Sequence, residues 1–171
     1  MSYITYLEDL PKLDETFFKE ACYSRDNYPN IFKLPNHPYQ LFNATEKLKN
    51  FIELFLSFDK VEVHSFNNTV PIHTDFNRAR AYNYIFDTGG PNVLTSFYDI
   101  NDFTRNSDGR LEVYNEDYKP IESVCIRSNV WHILDVTVPH GVSNIKSTRF
   151  AVTVSSSLLL FAVAVSSGLL L

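Results

Sequence analysis

Two histidines and a nearby carboxylate are the residues in this chain best placed to do chemistry. His73-Thr74-Asp75 sets an imidazole and a carboxylate two positions apart. In an extended segment, residues i and i+2 project to the same face, so the two groups stand side by side. That is two-thirds of a facial two-histidine, one-carboxylate metal site, which suits Fe(II) and leaves three coordination positions open. The missing ligand must come from another strand. His140 lies 67 residues further on, in Val138-Pro139-His140-Gly141-Val142-Ser143-Asn144, where Pro139 and Gly141 fix a sharp approach. Arg149 follows His140 by nine residues. A fixed cation there can pair bidentately with a carboxylate ligand bound at the metal.

Each of these residues also has a plainer role open to it. His73 and His140 suit turns, Asp75 suits a loop, and an Arg most often ends in a surface ion pair. Their order along the chain is what raises them above that. The other histidines carry less. His64 alternates with Val61, Val63 and Phe66, which suits a structural or pocket-lining role. His132, between Trp131 and Ile133, reads as a hydrogen-bonded histidine rather than a ligand, and His37 sits in a proline-rich loop. Phe97, Tyr98 and Trp131 are candidates to line a pocket. Cys125 is expected to be buried and inert on an apolar strand.

The elements that must hold these residues follow from periodicity. Asp14 to about Tyr23 reads as a helix that Asp14 can cap, with Phe17, Phe18 and Ala21 on one side. Ala44 to Phe58 is a second helix. Its Leu48, Phe51, Ile52, Phe55 and Leu56 fall at i, i+3, i+4, i+7 and i+8, with Asn43 or Thr45 as the cap. Asn27 to Gln40 holds Pro29, Pro35 and Pro38 and reads as a loop. From Lys60 the period becomes two. Val61–Phe66, Arg80–Phe86, Val93–Tyr98, Leu111–Tyr114, Ile121–Ile126, Val130–Val136 and Thr148–Val154 read as short strands separated by turn signals. The fold class expected is mainly β, an antiparallel sandwich or barrel with N-terminal helices packed on one side.

Composition narrows the function. The chain has 171 residues, 44% hydrophobic and 15% aromatic, with a formal net charge of −5. That is too apolar for a disordered chain and suits one domain. The acidic balance makes nucleic acid an unlikely partner. Cys22 and Cys125 do not make a disulfide framework, and the acidic N-terminus lacks a secretion signal, so a cytoplasmic protein with free thiols is expected.

The ordered set of motifs resembles the 2-oxoglutarate/Fe(II)-dependent oxygenases. The closer likeness is to their aspartyl/asparaginyl- and prolyl-hydroxylase-like branch. There the first motif is His-x-Asp, an Arg three residues on, then Ala-Leu-Asn. Here it stands as His73-Thr74-Asp75…Arg78…Ala81-Tyr82-Asn83, with Tyr for Leu. The second motif stands as Asp135…His140-Gly141-Val142-Ser143-Asn144…Arg149. The likeness covers roughly Val61 to Val154. It implies a double-stranded β-helix, or jelly-roll, core. It also implies that His73, Asp75 and His140 hold Fe(II), that Arg149 binds the distal carboxylate of 2-oxoglutarate, and that Arg78 and Asn83 stand beside the site. Strand register decides which of Arg78, Arg80, Tyr82 and Asn83 faces the cosubstrate. The activity implied is hydroxylation of a C–H bond of an amino acid, peptidyl side chain or small metabolite, using O2 and converting 2-oxoglutarate to succinate and CO2. The readings set against it are a non-catalytic jelly-roll binding or structural module and a cupin-like metalloprotein. Cupins commonly show His-x-His, which this chain lacks.

The end of the chain is anomalous. All fifteen basic and twenty acidic residues lie at or before Arg149. Phe150-Ala-Val-Thr-Val-Ser-Ser-Ser-Leu-Leu-Leu160 is followed directly by Phe161-Ala-Val-Ala-Val-Ser-Ser-Gly-Leu-Leu-Leu171, identical at nine of eleven positions. The first copy reads as the last strand of the domain. This gives one domain over 1–154, helical to 59 and β from 60, and an apolar duplicated tail over 155–171. The tail is uncharged, but Ser, Thr and Gly interrupt it and the first copy is needed in the core, so no membrane span is expected.

Overall fold

Alternating apolar residues from Lys60 onward build two antiparallel sheets, with the helices on one outer face. The computed structural model describes residues 2–23, 39–75, 80–100, 112–113 and 117–155. The element order is β1 (Ile4–Leu7), α1 (Glu15–Tyr23), β2 (Tyr39–Asn43), α2 (Glu46–Glu53), β3 (Lys60–Phe66), β4 (Val70–His73), β5 (Arg80–Asp87), β6 (Leu94–Phe97), β7 (Glu112–Val113), β8 (Glu122–Val124), β9 (Trp131–Asp135), β10 (His140–Ser143) and β11 (Arg149–Ser155). One sheet runs β1-β9-β5-β11-β3-β2 and the other β7-β4-β10-β6-β8. Among the described residues no helix is long and apolar enough to cross a membrane.

Both helices start where expected. The Thr16 amide donates to the Asp14 carboxylate at 2.8 Å, a bond that holds this carboxyl below its usual range. The Leu48 amide donates to the Thr45 hydroxyl at the start of α2. α2 stops at Glu53, short of the expected Phe58. Phe55 and Leu56 still reach the same core, because their amides both donate to the Ile52 carbonyl, at 3.0 and 2.9 Å, and carry the chain round a tight turn.

Four strands were not foreseen: β1, β2, β4 and β10. β1 and β2 come from the segment expected to be helix and loop, and they form the two edges of the six-stranded sheet. The N-terminal part therefore contributes to the sheet as well as covering it. β11 extends one residue past the expected end, to Ser155. Residues 156–171, where the second copy of the repeat falls, lie outside the described residues.

Register sorts the side chains into two cores. Val61, Val63, Tyr84, Trp131, Val152 and Val154 face α1 and α2, where they pack with Phe17, Leu48 and Ile52. Their sequence neighbours face the second sheet, where Ile4, Ala81, Ile85, Phe97, Leu134 and Ala151 form the other core. Trp131 thus belongs to the helix side, not to a pocket. Its indole N–H donates to the Pro11 carbonyl at 2.8 Å. Phe97 is fully buried between the sheets, stacked 4.8 Å from Tyr3. Cys125 is a correction: it is exposed just beyond β8 rather than buried on a strand.

Candidate metal centre

The two histidines are brought together by a strand pair that periodicity missed. β4 and β10 run antiparallel with His73 directly opposite His140, and their ring centroids lie 4.4 Å apart. Gly141 allows the approach. A Cβ built there would stand 3.0 Å from the Val70 carbonyl oxygen, tighter than side chains tolerate. The register shifts between His140 and Val142, a bulge of the kind that re-aims a side chain.

Each ring is oriented from behind by a carbonyl two residues back. His73 Nδ1 lies 2.8 Å from the Pro71 oxygen, and His140 Nδ1 lies 2.9 Å from the Val138 oxygen. A carbonyl only accepts, so each Nδ1 donates its proton there, which leaves Nε2 as the ring nitrogen available to a metal. Asp75 joins them from the residues just after β4. Its amide donates to the Val136 carbonyl at 3.1 Å, and its carboxylate lies 3.6 Å from His73 Nε2. One donor atom from each of His73, Asp75 and His140 lies within 4.8 Å of the others. Donors at about 2.1 Å from one ion in a facial arrangement stand about 3.0 Å apart, so the longest pair must close by up to about 1.8 Å on loading. Two imidazole nitrogens and one carboxylate oxygen fit a divalent first-row metal.

The donors open onto a cavity of about 110 Å³ between the sheets. Its far wall is the inner face of the six-stranded sheet, where Asn83, His132, Arg149 and Thr153 project. Arg149 is only 6% exposed, and its Nε makes no hydrogen bond. No carboxylate among the described residues pairs with it. The face of the Phe66 ring stands 5.7 Å from the guanidinium carbon. Burial pushes its pKa down to about 10, so it stays charged at neutral pH. The Thr95 hydroxyl, also buried against this cavity, has no hydrogen-bond partner.

No family model matches the chain, and no curated protein matches it. What the protein does must therefore be argued from this site. The structure brings together His73, Asp75, His140, Arg149 and Asn83, all on one cavity. Arg78 lies outside the described residues. The register question is answered for the rest. Asn83 faces the cavity, and its Oδ1 accepts from the Thr153 hydroxyl at 2.7 Å. Tyr82 packs on the helix side, and Arg80 is exposed.

Sequence reasoning undervalued His132. It is 1% exposed and lines the cavity. Its Nδ1 lies 3.5 Å from the Val130 carbonyl, a marginal bond. Burial, with a smaller push from the Arg149 charge, lowers its pKa to about 4 against the raising effect of that bond, so it is neutral. Only the register reveals this: Ala81, Asn83 and Ile85 alternate toward the cavity, and His132 pairs directly with Asn83. His64 lines the cavity as well, in keeping with its expected role.

Proposed function

We propose that this protein is an Fe(II)- and 2-oxoglutarate-dependent oxygenase that hydroxylates a C–H bond of an amino acid, a peptidyl side chain or a small metabolite. On this reading the two facing sheets are a double-stranded β-helix. The observation that carries it is the pairing of a two-histidine, one-carboxylate cluster with a buried, carboxylate-free Arg149 across one small cavity. A metal site alone would need no such cation. A buried guanidinium without a protein counter-charge is costly, and its retention is explained by an anionic ligand that completes it.

His73, Asp75 and His140 would hold the metal, with the Pro71 and Val138 carbonyls fixing the imidazoles. Arg149 would bind the distal carboxylate of the cosubstrate, and Thr95 offers a further hydroxyl on the same cavity. Asn83, tied to Thr153, keeps the floor of the cavity polar. Ile85, Leu134 and Val136 line the remaining wall and exclude water. When bound, Fe(II) and 2-oxoglutarate together supply the oxidation, with O2 as oxidant and succinate and CO2 as co-products.

Turnover tests the proposal. Purified protein given Fe(II), O2 and 2-oxoglutarate should release succinate, slowly without a prime substrate and faster with one. His73→Ala should lose this together with metal binding. Arg149→Leu should lose it while still binding metal. No succinate from metal-loaded wild-type protein would refute the assignment.

A further inference from the structure

His73, His140 and His132 each place Nδ1 against the carbonyl two residues back, and His132 differs from the other two. His73 and His140 hold that contact at 2.8 and 2.9 Å, which commits Nδ1 to donation and leaves Nε2 for a metal. In His132 the contact to the Val130 carbonyl is 3.5 Å, too long to fix a tautomer. His132 is also outside the donor cluster formed by His73, Asp75 and His140. Its ring can therefore carry the proton on Nε2 at little cost and donate into the cavity.

Register shows where along the cavity that donor stands. Ser155 pairs with Ala81 and Ala81 with Leu134, whereas Thr153 pairs with Asn83 and Asn83 with His132. β11 thus runs from Arg149, past the row that holds His132, toward the row that holds Leu134. The metal donors lie at that last end, because the Asp75 amide bonds the Val136 carbonyl. A ligand that joins the metal to Arg149 must pass His132. The two far-wall groups are also near each other, since the Arg149 charge adds to burial in lowering the His132 pKa.

We infer that His132 is a specificity-determining residue, which donates from Nε2 to the same distal carboxylate that Arg149 holds. The inference rests on the proposed function, and adds to it a residue that selects for an acidic far end on the cosubstrate.

The chemistry of the wall supports it. Arg149 Nε and the Thr95 hydroxyl are buried on this cavity without hydrogen-bond partners, while Asn83 Oδ1 is already engaged by the Thr153 hydroxyl. A wall with donors to spare suits a carboxylate, whose two oxygens accept several hydrogen bonds. A neutral His132 adds one of these bonds without burying a second cation beside Arg149.

Binding to the metal-loaded full chain tests the inference. Equilibrium dialysis without O2, with Fe(II) bound, compares 2-oxoglutarate with 2-oxopentanoate, which keeps the chelating end and carries methyl in place of the distal carboxylate. His132→Leu should weaken 2-oxoglutarate at least about 10-fold, the scale of one hydrogen bond to a charged group, and leave 2-oxopentanoate unchanged. His132→Gln, whose amide still donates, should recover most of the loss. Equal weakening of both ligands, or of neither, overturns the inference. The wild-type protein gives a second reading that no folding defect can obscure. With Zn(II) in place of iron and isotope-labelled histidine, imidazole nitrogen resonances should show the His132 proton on Nε2 in the 2-oxoglutarate complex. A proton on Nδ1 there overturns the inference and leaves the proposed function standing. Wild-type protein that binds metal but no 2-oxoglutarate refutes the function, and this inference with it.

Discussion

On β11, Val152 and Val154 turn toward the helices, while Arg149 and Thr153 turn toward the cavity. β5 and β9 repeat the division, with Tyr84 and Trp131 on one side and Asn83 and His132 on the other. The outer face is apolar and aromatic. Trp131 stands 5.3 Å from Tyr84 and 5.8 Å from Phe55 in edge-on geometry, and the buried Tyr84 phenol has its pKa raised. The inner face buries Arg149, His132, Thr153 and His64 instead. Period-two alternation lets the same strands serve both purposes. The difference teaches that the helix-side face is apolar and aromatic, whereas the inner face shares its apolar core of Ile85, Leu134 and Ala151 with buried polar groups that destabilise the unliganded protein.

If that contrast is right, the largest stability loss lies on the outer face. Trp131→Ala should cost about 3–5 kcal/mol, measured by chemical unfolding, because it empties the aromatic cluster. The folded fraction should bind metal as before. A loss of metal affinity in that fraction would mean that the two faces are coupled.

The next effect belongs to His132 and depends on pH. Its folded pKa, about 4, lies below the ordinary 6.5. Between those values the unfolded chain binds the extra proton, so stability falls as pH falls. The loss should approach about 3 kcal/mol near pH 4. His132→Gln should remove that part of the pH dependence, whereas outer-face variants should retain it. An unchanged profile in His132→Gln would place the acid sensitivity elsewhere.

Arg149→Leu should separate function from stability. Without ligand, unfolding free energy should stay level or rise by about 1 kcal/mol, since a buried cation without a counter-charge is removed. A clear loss of stability would show that Arg149 serves the fold. The smallest effect is at the edge of the helical layer, where Thr45→Ala should cost about 1 kcal/mol by removing the α2 cap. It should leave cavity ligands unaffected.

Much of this division was legible in the sequence. β3, β5, β9 and β11 are long enough for alternation to show, and the amphipathic stripe of α2 was plain. β4 and β10 were not, although they carry the two histidines. Each has four residues, β4 contains Pro71 and β10 contains Gly141, both of which read as turn signals. Their pairing depends on a close backbone approach at Gly141 that no periodicity reports. β1 and β2 form only at the sheet edges, where partners rather than intrinsic pattern decide the conformation. The ligand candidates themselves could be named from residue type and order. Which side chains share a face could not, because a one-residue slip in register would have put Tyr82 in the cavity and Asn83 against the helices.

The central claim is that His73, Asp75 and His140 hold Fe(II) beside an Arg149 that binds 2-oxoglutarate. Anaerobic titration of the full chain with Fe(II) and then 2-oxoglutarate tests it most directly, by the weak visible charge-transfer band of the chelate. The account predicts a saturable band with one equivalent of iron, absent in His73→Ala and requiring far more 2-oxoglutarate in Arg149→Leu. A band of equal strength in His73→Ala, or none in the wild-type protein, would contradict it.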